Sequence, residues 1–144
     1  MGMSAINLMI RIDAPIDAVF GALTTNEAIA GWFTETVCAK WAIDEQATWF
    51  GETVMRILDL SKNQRVALRV LRGGGWDKTE IAFSVEALSK TRTMVRLDHT
   101  DWPEVDDHFR DCAMSWAYFL ESLRLYVETG VGTPEGVAPA CEAG

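Results

Sequence analysis

Few side chains in this chain of 144 residues belong to types that make or break bonds. Its two histidines and three cysteines come without a Gly-x-Ser-x-Gly turn, so a serine-hydrolase reading has nothing to stand on. His99 closes the alternating run Val95, Leu97, His99 in phase with its apolar members, which points the imidazole inward. There it could polarise a carbonyl or act as a general base near neutral pH. The commoner fate of such a residue is burial with a hydrogen bond to backbone. From Asp98 through Asp101, Glu104, Asp106 and Asp107 to His108 the sequence gathers metal-ligating types. But His99 and His108 straddle a strand-to-helix corner, and carboxylates at a helix start offset its dipole. Neither HxxxH nor HExxH is present, and no metal is expected. Cys112 is a nucleophile only beside an activating base or cation. At a core position of a helix it reads as a small apolar filler. Gly73-Gly74-Gly75 lacks the Lys-Ser/Thr of a phosphate loop and reads as a hairpin turn. Glu52 and Arg56, near the middle strands, could supply polar contacts in a cleft, and the pattern leaves their direction open.

Bulk properties narrow the partners. Against 13 Lys+Arg stand 21 Asp+Glu, a formal charge of -8. Nucleic-acid binders need a basic stripe, and Arg65, Arg69 and Arg72 alternate with Val66, Leu68 and Val70 as a solvated strand face would. The same acidity argues against anionic lipid, so neither nucleic acid nor membrane is expected as a partner. No apolar run reaches the roughly 18 residues of a membrane span. Residues 1–12 lack the features of a secretory signal. Cys38, Cys112 and Cys141 are an odd number without CxxC spacing. They argue against a disulfide framework and for a reducing cytoplasm.

The elements that must position these groups follow from periodicity. Ile6, Leu8, Ile10 and Ile12 alternate with polar residues as a half-buried strand. Pro15 and Asp17 open a helix carrying Ile16, Val19, Phe20 and Leu23. Thr24 and Glu27 form a capping box before a second short helix with Ala28, Ile29 and Trp32, closed by Gly31. Strands are predicted over 36–41, 47–50, 53–59, 64–71, 79–88 and 92–100, joined by connections too short for parallel crossovers. Asp101-Trp102-Pro103-Glu104 resembles another capping box. It precedes a helix over 103–128, about 39 Å long, that ends at Gly130. A rod of that length requires the sheet to curve around it. Residues 131–144 read as a flexible C-terminal tail after a single domain over 1–130.

Two segments carry a family likeness. One runs from Ile10-Arg11-Ile12-Asp13-Ala14-Pro15 to Thr24, continuing in Ile29-Ala30-Gly31-Trp32-Phe33. The other is Ser115-Trp116, then Leu120-Glu121-Ser122-Leu123-Arg124-Leu125-Tyr126 to Gly130. The chain resembles the SRPBCC or START-like helix-grip superfamily. Within it, the chain is similar to the bacterial branch related to the C-terminal domain of the heat-shock chaperone ATPase activator. The resemblance implies an α+β fold: a curved antiparallel sheet of about seven strands, two short helices after strand 1, and one long C-terminal helix. It also implies a cavity between sheet and helix, and it implies neither catalytic residues nor a cofactor.

Such a cavity would be an apolar cleft with a few polar groups. Its candidate lining is Phe109, Cys112, Ser115, Trp116 and Phe119 from the long helix and Phe83, Leu97 and His99 from the strands. Trp32 and Phe33 would form a roof, joined by Trp41 or Trp76. The leading expectation is binding of a small, largely apolar ligand, lipid-like or aromatic. A second is a cyclase- or dehydratase-type enzyme with His99 as base and Glu52 or Tyr118 as partner. A third is a co-chaperone or protein-interaction module. Homodimerisation is left open.

Overall fold

The alternation seen in the sequence builds one antiparallel sheet. The computed structural model describes residues 3–134. Its strands are β1 (Ser4–Ile12), β2 (Val37–Ala39), β3 (Gln46–Trp49), β4 (Thr53–Ser61), β5 (Arg65–Arg72), β6 (Glu80–Ser89) and β7 (Arg92–Trp102). The helices are α1 (Ile16–Leu23), α2 (Asn26–Trp32) and α3 (Asp107–Thr129). The spatial order β1-β7-β6-β5-β4-β3-β2 closes every hairpin on its neighbour and brings the first strand beside the last. Bulges in the β1–β7, β4–β5 and β6–β7 ladders add local bend and twist. This is the helix-grip arrangement, with α3 laid across one face.

The register carries the core. Ile6, His99, Ile81, Leu68 and Ile57 form one row across five strands, all buried. Leu8, Leu97, Phe83 and Val66 form the next. From α3, Cys112, Trp116, Phe119, Leu120 and Leu123 descend onto these rows. Each large apolar side chain so buried contributes about 1.5–3 kcal/mol. On the opposite sheet face, Arg65 pairs with Asp59 and Arg69 with both Glu80 and Asp101. These are part-exposed pairs worth little stability each, but they leave Arg65 and Arg69 neutralised by neighbours.

Several boundaries differ from the sequence reading. Strand β7 runs on to Trp102, because Asp101 takes φ 69 and lets Trp102 turn back to pair with Ser4. Helix α3 therefore starts at Asp107, with Asp106 accepting from the Phe109 N–H at 2.9 Å. Its 23 residues span about 35 Å. Thr25, not Thr24, caps α2, while the Thr24 hydroxyl donates back to the Phe20 carbonyl. Gly31 lies inside α2 rather than ending it, and a Cβ there would stand 2.3 Å from the Tyr126 ring. The glycine thus permits close approach of α2 to α3. Gly130 does end α3, left-handed at φ 90. Of the predicted tail, Thr133 donates to the Ser122 hydroxyl at 2.6 Å; residues 135–144 lie outside the described residues.

Candidate functional site

Phe33, the residue that ends α2, sits at the centre of an aromatic cluster between sheet and helix. Its ring stacks on Trp116 at 5.2 Å and meets Trp49, Phe50 and Phe119 edge-on at 4.8, 5.0 and 4.8 Å. Trp116 stacks in turn on Trp76, at 5.8 Å and 20°. Phe33, Trp116 and Trp76 therefore present nearly parallel faces. Phe50 stands edge-on to Phe33 and to Trp76.

His99 is held by a complete hydrogen-bond chain. Trp116 Nε1 can only donate, and it does so to His99 Nδ1 at 2.9 Å. The ring proton must then be on Nε2, which donates to Thr79 Oγ1 at 2.9 Å. Thr79 passes its own proton to the Trp76 carbonyl at 2.6 Å. His99 and Thr79 are both buried. Burial, with a lesser push from the charge of His108, drives the His99 pKa down to about 3. The imidazole thus stays neutral near pH 7, with its one acceptor lone pair engaged. It is a girder of the core, and its geometry removes the version of the enzyme reading that makes it a base. Glu52 and Arg56 are exposed, away from the cluster. Tyr118 is half-buried against Phe119.

The acidic run has local work to do. Asp98 accepts from Asn7, Asp101 from Arg69, and Asp106 caps α3. Among the described residues no three His, Cys, Asp or Glu side chains converge in a way that would hold a metal. Cys112 is buried, its sulfur accepting from Trp76 Nε1 at 3.3 Å. Sequestered in the core with its sulfur so engaged, Cys112 is not placed as an exposed nucleophile.

The space between sheet and α3 is nearly full. A void of about 10 Å³ lies there, lined by Phe33, Phe50, Trp76, Cys112, Ser115, Trp116 and Phe119. That is room for roughly one water, against about 300 Å³ or more for a ligand pocket. The expectation of an open hollow is corrected to a closed one. Of the sequence candidates, Phe33, Trp76, Cys112, Ser115, Trp116 and Phe119 come together at this void. Phe83, Leu97 and His99 lie in the buried rows beneath, and Phe109 packs edge-on against Trp102. Trp32 is not a roof: it is 1% exposed, its Nε1 bonded to the Ala22 carbonyl. Trp41 is bonded to Asn26 elsewhere.

Two features of the void escape sequence reasoning. Ser115 is 3% exposed, and its hydroxyl has no hydrogen-bond partner; even the back-bond to a preceding carbonyl, open to helical serines, is unmade. An orphaned buried hydroxyl costs about 1–3 kcal/mol. Phe50, half-buried, has φ 58 and is followed by Gly51 at φ 74, in a turn closed by Glu52 N–H to the Trp49 carbonyl. Positive φ at both central positions is the type I′ requirement usually met by Asn, Asp or Gly. Among the described residues the other non-glycine positions with positive φ are Asp44, Asn63, Lys78 and Asp101, so Phe50 alone of these is a large apolar residue. Left-handed backbone at such a residue costs about 1–2 kcal/mol.

Sheet order, long helix and interior aromatic cluster together define a helix-grip domain. The chain belongs to the family described as Activator of Hsp90 ATPase homolog 1-like protein, which it matches over residues 13–128. Among solved structures it is similar to the Aha1 dimer from Colwellia psychrerythraea, at 28% identity, TM-score 0.78, and coverage of 90% of this chain and 99% of that one. An HSP90 activator from Plasmodium falciparum aligns at 15% identity and TM-score 0.74, covering 90% and 98%. CalU16 from Micromonospora echinospora aligns at 19% identity and TM-score 0.74, covering 88% and 77%. A search of curated proteins finds no match.

Proposed function

We propose that the domain binds a small, largely apolar molecule between the sheet and α3, the aromatic side chains at the void giving way as it enters. The observation that carries this reading is the Ser115 hydroxyl, buried and unpartnered at the edge of an otherwise apolar void. Native interiors rarely leave such a group unpaired without a reason, and an incoming ligand atom supplies one. Tryptophan fluorescence tests the proposal, because Trp76 and Trp116 both line the void. Saturable quenching by neutral aromatics or short-chain lipids is expected. No response across such a panel, together with no small molecule co-purifying by native mass spectrometry, overturns it.

A second reading is a protein-interaction module, and the closed void favours it. A filled core of about 10 Å³ free space needs no ligand to be complete. Family membership and a similar structure described as a dimer point the same way. Analytical ultracentrifugation of the purified chain and a pull-down with a heat-shock chaperone would distinguish it. A monomer that captures no chaperone removes its support.

A further inference from the structure

Resting on the ligand-binding reading above, we propose that Phe50 is a built-in plug standing where the ring of a neutral, flat aromatic molecule binds, and that Ser115 receives that molecule's single hydrogen-bonding atom. The slot is defined by what surrounds Phe50. Its ring is edge-on to Phe33 at 5.0 Å and to Trp76 at 6.2 Å. Both of those rings lie parallel to Trp116 within 20°. A space bordered by parallel ring faces and edges suits a planar partner, through stacked and edge-to-face contacts.

The same surroundings specify the ligand's chemistry. No charged side chain lines the void, so an ionised ligand would lose its hydration without compensation. The lining side chains offer one hydroxyl, on Ser115, and one sulfur, on Cys112, already engaged by Trp76. A water there would lack the two or more polar partners that hold buried waters. A phenol, a cyclic ketone or a similar molecule with one polar atom would satisfy the serine and fill the rest with carbon.

Phe50 differs from the other rings in how it is held. Phe33, Trp76 and Trp116 are at most 3% exposed, on or between regular elements. Phe50 is half-exposed at the tip of the β3–β4 hairpin, on backbone that a phenylalanine adopts under strain. A phenylalanine ring makes no hydrogen bond, so its withdrawal breaks none. Removing the ring by substitution adds space on the order of 100 Å³ to the void, as large-to-small changes do at poorly collapsing sites.

The test follows the six tryptophan indole N–H signals by NMR while 2-naphthol or naphthalene is added. The proteins are wild type, Phe50→Asn, Phe50→Gly, and Phe50→Asn combined with Ser115→Ala. Asn and Gly both suit positive φ, so two independent variants keep the turn. Phe50→Asn and Phe50→Gly are expected to bind 2-naphthol at least about tenfold more tightly than wild type. They should prefer it over naphthalene by about five- to tenfold, the worth of one buried hydrogen bond. Adding Ser115→Ala should bring that preference close to one. Equal affinity of wild type and both Phe50 variants for 2-naphthol refutes the plug while leaving the ligand-binding reading standing. A preference unchanged by Ser115→Ala refutes the role of the serine. Folded spectra with no saturable shift in any protein overturn the proposal together with the reading beneath it.

Discussion

Replacing His99 with glutamine probes the buried relay from Trp116 to Trp76. Glutamine can accept from Trp116 Nε1 through its carbonyl oxygen and donate to Thr79 through its amide, but it cannot take up a proton. In the wild type the unfolded histidine titrates near its ordinary 6.5, while burial holds the folded one at about 3. Between those values the unfolded chain binds the extra proton, so stability falls as pH falls, by about 1.4 kcal/mol per pH unit. From about pH 7.5 to pH 4.5 the loss integrates to about 2.5 kcal/mol, a large part of the roughly 5–15 kcal/mol typical of a domain. Asp59, Asp106 and Glu121 also titrate, but hydrogen bonds lower all three below their ordinary values, so their losses fall below this window. Urea unfolding at several pH values measures the slope. The wild type should weaken steadily over the window, and His99→Gln should be nearly flat there. A control, His108→Gln, leaves the relay bonds intact and should keep most of the slope. A wild type equally stable at both ends, or a glutamine variant that keeps the full slope, would refute the neutral, saturated imidazole.

Three further changes test the packing that frames the site. Gly73→Ala places a Cβ 2.2 Å from the Glu52 carbonyl oxygen at φ 103, and should cost 3 kcal/mol or more, on the order of severe backbone clashes, read by thermal unfolding. Ser122→Ala removes a hydroxyl that donates to the Trp32 carbonyl and accepts from Thr133; leaving buried groups unpaired should cost about 1–3 kcal/mol in urea unfolding. Asp106→Ala removes the cap of α3, with an expected loss of about 1 kcal/mol and faster amide exchange at Phe109.

What the sequence made legible follows from which signals are local. Alternation over Ile81, Phe83, Val85 and over Val95, Leu97, His99 reports a buried face directly, because strand side chains must point to alternate sides. The inward direction of His99 was readable for that reason. Its saturation was not, since it depends on Trp116 and Thr79 arriving from two other elements. The start of α3 was misplaced because Asp101-Trp102-Pro103-Glu104 fits a capping box, while a positive φ at Asp101 instead keeps Trp102 in the sheet. Phe50 left no trace as a turn residue, because the usual composition of a type I′ turn excludes phenylalanine. Ser115 stood among the helix candidates, but whether its hydroxyl finds a partner is a property of the assembled interior.

The joining of β1 to β7 bears on how the chain is made. Asn7 meets Asp98 across a sequence separation of 91, so on a ribosome the first strand emerges long before its ladder partner. Until then Ile6, Leu8 and Ile10 have no sheet to rest on, and the rod that caps the structure comes later still. Contacts this distant in sequence slow the search for the native state and keep an apolar edge on offer to other chains meanwhile. A domain wired in this way completes itself only once its last strand and long helix have been made, all at once rather than piece by piece.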